Sequence, residues 1–278
     1  MRRARAAKRT QSAFFLQRCA EDALERLLDL SRQFERALII APPGFWPLVE
    51  KNLPDAKTPK EVVLCYDGKD LPPPMIAAAD DGLPFDAASF DLVISVLNLH
   101  SVNDLPGALF NISHILKADG LMLSAYFGGH TLTELRQCFY RIETEKLEGL
   151  SPRVAPMIDF SQSASLLQRA GFALPVVDTD RFTLSYTALS KLLADLRDAG
   201  ETNVLIAREN RALSQSFYQA LEQDLRQSSP ANNGRFSISF EILWATGWKP
   251  HESQQKPLKP GSAKMRLSEA LGVKEQKL

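Results

Sequence analysis

Cysteine is scarce in this chain. Three occur in 278 residues, Cys19, Cys65 and Cys138, far apart and without a CxxC pair. An odd, dispersed set does not suit a secreted disulfide framework, so the thiols are expected reduced and partly buried in a reducing compartment. Long hydrophobic runs are missing as well: no stretch of about 18 apolar residues offers a membrane-spanning helix. The first residues lack the apolar segment of a secretory signal, and the expected location is cytoplasmic. Neither sign of charge is in excess, with 33 Lys and Arg against 33 Asp and Glu, so no overall field draws the protein to nucleic acid or an anionic membrane. The four histidines, His100, His114, His130 and His251, form no HxD, HExxH or paired Cys/His spacing, which leaves no iron or zinc motif. His130 followed by Glu134 is the nearest approach, and helix-surface polarity explains it better. Also absent are the GxxxxGK[ST] phosphate loop and the GxSxG nucleophile elbow.

What is present is the composition of a globular protein, 45% hydrophobic and 24% charged. The length allows one large α/β domain with additions or two small domains, and the composition is read as one domain with appendages. Residues 1–30 form a basic lead-in and helix, 31–248 the domain, and 249–278 an extended tail. The first ten residues hold Arg2, Arg3, Arg5, Lys8 and Arg9 and no acid. That arm is either a contact for RNA, a membrane surface or a partner, or a solvated lead-in to the helix. The tail has seven cations against Glu252, Glu269 and Glu275, with Pro250, Pro257, Pro260 and Gly261 breaking any long helix.

The middle alternates between two periods. Phe15, Leu16, Leu24, Leu27 and Leu28 recur at helical spacing across 12–30. The runs 36–41, 61–66 and 89–97, with 75–79 and 121–127, read as short strands, the apolar ones buried on both faces of a parallel sheet. Asp104 caps a helix over 105–117 that admits Pro106 in its first turn and stops at Gly120. Helices start again near 130 and 161, the latter closed by Gly171, then come strand 174–186 and helices ending at Gly200 and before 230. Residues 234–249 alternate at Phe236, Ile238 and Phe240, as for an antiparallel strand closing the sheet through a hairpin edge. The sum is a doubly wound, mostly parallel α/β sheet whose ligand crevice lies at the carboxyl ends of the strands.

Two acids sit where such a crevice needs them. Asp67 after the second strand can accept both hydroxyls of a ribose, and Asp80 after the third can accept from the exocyclic amine of adenine, with Leu83 to Phe85 as apolar contact. Equally, Asp67-Gly68 and Asp80-Asp81-Gly82 can be ordinary turn residues.

The string ADDGLPFDAASFDLVISVLNLHSVNDLPGALFNISHILKADGLMLSAYFGGHTLTELR, residues 79–136, resembles the second half of a class I S-adenosylmethionine-dependent methyltransferase. More narrowly it is similar to the branch holding the biotin-pathway malonyl carrier methyltransferase and a mitochondrial complex I assembly factor. The lead-in RRARAA with FLQRCAEDALERL and the tail ATGWKPHESQQKPLKPGSA resemble the assembly-factor side of that branch. The resemblance implies a seven-stranded Rossmann-like sheet with S-adenosylmethionine as ligand. It assigns Asp67 to the ribose, Asp80 to adenine with Asp81 and Leu83 as neighbours, Ser95 to the cofactor end of the fourth strand, and His100 to the substrate side. His100 is equally read as a histidine packed under the helix after it.

The chain departs from the family at its first strand. Family members carry an acid and a glycine-rich turn there, whereas Ile39 stands at the acid position and Ala41, Pro43 and Phe45 at the three glycines. Ala41-Pro42-Pro43-Gly44-Phe45 lacks two N–H donors, and Phe45 is expected to fill space that the cofactor would need. The resemblance implies two functions. One is a methyltransferase-like protein acting on a respiratory-complex subunit, its relative being associated with arginine hydroxylation; the other is an inactive scaffold that binds a partner protein. Carboxyl methylation in biotin synthesis is a third, which the assembly-type tail disfavours.

Overall fold

The computed structural model describes residues 13–66, 74–78, 82–146, 149–203, 205, 207–208 and 212–255. The basic arm of the first ten residues and the tail beyond residue 255 lie outside them. The chain runs α1 (Ala13–Asp29), β1 (Arg36–Ile40), α2 (Phe45–Glu50), β2 (Glu61–Tyr66), β3 (Ile76–Ala77), β4 (Phe90–Val96), α3 (Leu105–Ile115) and β5 (Leu116–Phe127). It continues with α4 (Thr133–Lys146), α5 (Phe160–Arg169), β6 (Ala173–Tyr186), α6 (Leu189–Asp198), α7 (Gln215–Ser228) and β7 (Phe236–Trp248). The strands make one sheet in the order β3-β2-β1-β4-β5-β7-β6. β1 to β5 are parallel, and β7 lies antiparallel between β5 and β6. The strand 234–249 is antiparallel as expected and closes the sheet together with β6, but it is the inner member of that pair and β6 is the edge.

Burial on both faces explains the apolar runs. Every residue of β4 is buried, and alternate residues feed two cores. Ile39, Ile94, Leu123 and Trp244 pack under α1, α2, α4, α6 and α7, while Leu38, Val93, Met122 and Leu243 pack under α3 and α5. Two ion pairs, Arg18 with Asp180 and Arg26 with Asp178, tie α1 to the edge strand, and Trp244 Nε1 donates to Asp22. All three cysteines are buried, and none forms a disulfide. Among the described residues no helix is long and apolar enough to cross a membrane.

Asp104 caps α3 as expected, accepting from the Gly107 N–H at 2.9 Å. The helix ends at Ile115 rather than Gly120, because Leu116 is already extended and pairs with Phe90. Asp119 at φ 61° and Gly120, where a Cβ would meet the Lys117 carbonyl at 2.8 Å, form an irregularity inside the strand. Gly171, at φ 80°, comes after α5 where a left-handed residue ends the helix.

α5 is held to β5 by the Tyr126 hydroxyl, 2.5 Å from Ser163 Oγ in the buried layer. Burial pushes the Tyr126 phenol from its ordinary 10.0 up to about 12, partly opposed by the Ser163 contact. Its contribution to stability is therefore full below pH 10 and lost as pH rises toward 12, since the unfolded phenol ionises first. The expected loss over that window is about 2–3 kcal/mol. Urea titrations at successive pH values check it, and Tyr126→Phe should remove this share of the drop, leaving what Tyr186, Cys19 and Cys138, also raised by burial, contribute. An alkaline limb identical in both proteins contradicts the assignment.

Candidate functional site at the strand carboxyl ends

The direction of the crossovers reverses between β1 and β4, where a doubly wound sheet opens its crevice. The turn leaving β1 is tight. Ala41 N–H donates to the Cys65 carbonyl at 3.1 Å and Phe45 N–H to the Pro42 carbonyl at 3.2 Å. Gly44 has φ 96°, a conformation open to glycine without strain. Phe45 and Trp46 then open α2 and enter the core beneath α1, Phe45 with no exposed surface. Phe45, expected to fill space that the cofactor would need, is packed into that core. The turn keeps few donors, since Pro42 and Pro43 have no N–H and that of Phe45 is used internally.

The predicted site residues separate in space. Asp67, Asp80 and Asp81 lie outside the described residues. Leu83 is half-buried with Phe85 against the core under α3, and Ser95 is wholly buried in β4, where it pairs with Ile40 and Ser124. His100 turns to the opposite face. It stands on a single 3-10 turn, Leu99–Ser101, and packs edge-on against Phe127 with centroids 5.1 Å apart, rather than under α3.

There His100 lines a cavity of about 690 Å³. Phe127 and Phe240 form its base, Leu135 and Phe139 of α4 one wall, and Leu193 and Leu196 of α6 another. Residues 153–157 and 200–203, with Leu205, Ala207 and Arg208, are also in the lining. Asn203 Nδ2 clasps the two segments by donating to the carbonyls of Pro152 and Arg153 at 2.5 and 3.1 Å. Beneath the first, Glu143, with a side chain 1% exposed, accepts from Arg153 Nε at 2.6 Å and from Ser151 N–H at 2.9 Å.

Two leucines flank the cavity in left-handed backbone, Leu97 at φ 52° and Leu132 at φ 58°. Such positions persist only where surroundings over-determine them. Here Leu97 N–H donates to the Ala125 carbonyl and Leu132 N–H to that of Ser239. Glu241, 1% exposed within apolar β7, fixes the same region by accepting from His130 N–H at 3.0 Å and Arg181 Nε at 2.7 Å.

Sequence reasoning missed Glu201, Glu143, Arg153 and Glu241. Only Glu241 had a local signal, as a lone acid inside the run FSISFEILW. Among the described residues no cluster of three or more His, Cys, Asp or Glu forms a metal site.

Residues 56–124 match a family described as methyltransferase domain. The fold is similar to the YcgJ protein of Bacillus subtilis, with a TM-score of 0.55 and 14% identity over 83% of this chain and 99% of that one. The chain carries a segment of the methyltransferase-domain family. Its curated relatives include the mitochondrial arginine-hydroxylase NDUFAF5 of Dictyostelium discoideum, 39% identical over 185 residues, 66% of this chain and 42% of that protein. Human NDUFAF5 is 38% identical over 206 residues, 72% of this chain and 58% of that protein. The chain thus spans about half the length of these relatives. The matched methyltransferase segment ends inside β5, so of the cavity only His100 and its neighbours belong to it. α4, α6, Arg153 and Glu201 come from the chain beyond residue 124.

Proposed function

We propose that this chain acts in assembly of a respiratory complex, receiving an arginine side chain of a protein subunit in the cavity and binding S-adenosylmethionine at the carboxyl ends of β1 to β4. The observation that carries the reading is the likeness to arginine-hydroxylases, which extends over 185 residues and so well past the methyltransferase segment. The cavity suits such a guest: its phenylalanine faces stack on a planar guanidinium, and Glu201 offers negative charge.

For the cofactor the fit is divided. Leu83 and Phe85 leave a half-buried apolar wall for adenine, and the reading assigns Asp67 to the ribose, Asp80 and Asp81 to adenine, and Ser95 to the strand end. The turn after β1 fits the carboxypropyl end poorly, because Pro42 and Pro43 bring no donor and the N–H groups of Ala41 and Phe45 are spent. No chemical step is derived through the cofactor. Residues 31–248 are the working unit, and buried thiols outside any disulfide suit a reducing compartment such as the cytoplasm.

The same turn favours a second reading, a scaffold that keeps the sheet and binds a partner without using the cofactor. Calorimetric titration of the full chain with S-adenosylmethionine and S-adenosylhomocysteine separates the two. The first reading expects micromolar binding that Asp80→Ala abolishes while the fold is retained. No heat at millimolar ligand rejects cofactor binding and leaves the scaffold.

A further inference from the structure

His100 combines burial with an unmet hydrogen bond. Its side chain is 3% exposed although it lines the cavity, and Nε2 lies 2.9 Å from Glu201 Oε2. Nδ1 is buried and has no partner among the described residues. A carboxylate only accepts, so the proton of the Glu201 contact belongs to Nε2. In the neutral ring Nδ1 then carries a lone pair. A buried ring nitrogen left unpaired is destabilising, and folded proteins keep few of them unless something completes the bond. The Leu97 backbone that precedes the 3-10 turn is itself in a left-handed conformation, so the ring is delivered to this place at a cost in strain.

Among the described residues, the other charges at the cavity do not meet Nδ1. Arg153 is taken by Glu143, Arg208 donates to the Leu205 carbonyl, and Arg197 is exposed at the end of α6. The aromatic base and walls, Phe127, Phe139 and Phe240, give π faces for a flat cation. Glu201 supplies the charge that balances it, which a neutral imidazole would not.

We propose that His100, held as the Nε2–H tautomer by Glu201, is the cavity's hydrogen-bond acceptor and that Nδ1 receives an N–H of a substrate guanidinium. This rests on the arginine reading above and adds the residue that orients the guest. Glu201 is a positioning residue in this arrangement, because it acts by fixing the tautomer.

The test uses the full chain labelled with ¹⁵N-histidine and N-acetyl-arginine methylamide as probe. Long-range ¹H–¹⁵N correlation should show His100 protonated at Nε2 and bare at Nδ1 in the free protein, and the probe should move the Nδ1 resonance. Glu201→Gln should release the tautomer preference. His100→Phe should weaken the probe by about tenfold, while His100→Gln, whose amide oxygen still accepts, should stay within about threefold of wild type. Matching thermal unfolding of the two variants guards against misfolding. A free protein protonated at Nδ1, or equal affinity in His100→Phe and wild type, overturns the proposal. Wild type that shows the expected tautomer but no response to the probe overturns the arginine reading itself, so the two failures are distinct.

Discussion

Replacing Glu241 by leucine is expected to lower the unfolding free energy by about 1–3 kcal/mol, the usual penalty for removing the acceptor from donors that have no other partner in the fold. The carboxylate is 1% exposed and serves two donors from different elements, the His130 N–H and Arg181 Nε. Its main chain serves the same loop: the Glu241 carbonyl accepts from Gly128 N–H and Thr131 Oγ1. Close packing is part of the arrangement, since a Cβ on Gly128 would come within 2.4 Å of Glu241 Oε2. Leucine fills similar space but takes away the acceptor of the part-buried His130 N–H. Arg181 is 59% exposed in its side chain and rehydrates easily, so most of the loss comes from the backbone donor and the altered loop. Glu241→Gln keeps an acceptor and should cost less, about 0.5–1.5 kcal/mol. Urea denaturation at neutral pH measures both, and a loss under about 1 kcal/mol for the leucine variant would refute the role given to the carboxylate. Because the loop carries Thr131 and Leu132 into the cavity wall, the leucine variant should also bind the arginine probe more weakly.

Strand and helix periods made much of the sheet legible. β1, β2 and β4 are short apolar runs because both their faces are covered, and α5 and α6 keep their glycine stops at Gly171 and Gly200. Errors arose where tertiary pairing overrides a local signal. Gly120 looked like a helix terminator, yet pairing of Leu116 with Phe90 had already drawn the chain into β5. The sequence of β7 is that of a strand, but nothing local says whether it ends the sheet or enters it between β5 and β6. The cavity was less legible than the fold. His100 was picked out within a motif, whereas Glu201 is 101 residues away and meets it only because α6 and the turn after it fold back over the cavity. Glu143 and Arg153 join across the end of α4, and no spacing rule marks a lone buried ion pair of that kind.

The turn after β1 yields the second large effect. Phe45→Ala is expected to destabilise the protein by about 3–5 kcal/mol, the range for emptying a buried aromatic site. Phe45 has no exposed surface and belongs to the core that includes Phe15, Cys19 and Trp46. Behind Gly44 at φ 96°, it fixes where α2 begins. Had its ring stood in the crevice instead, alanine would leave stability nearly unchanged and open room for a ligand. Equilibrium denaturation and S-adenosylmethionine titration on the same variant decide between these placements. A large loss of stability with no gain in affinity supports a turn built into the core, whose weakness toward the cofactor lies in missing N–H donors rather than in blocked space. A stable variant that binds the cofactor more tightly contradicts it. The complementary change, Pro43→Gly, restores one N–H without emptying the core, and should improve affinity if the donors are what the turn lacks.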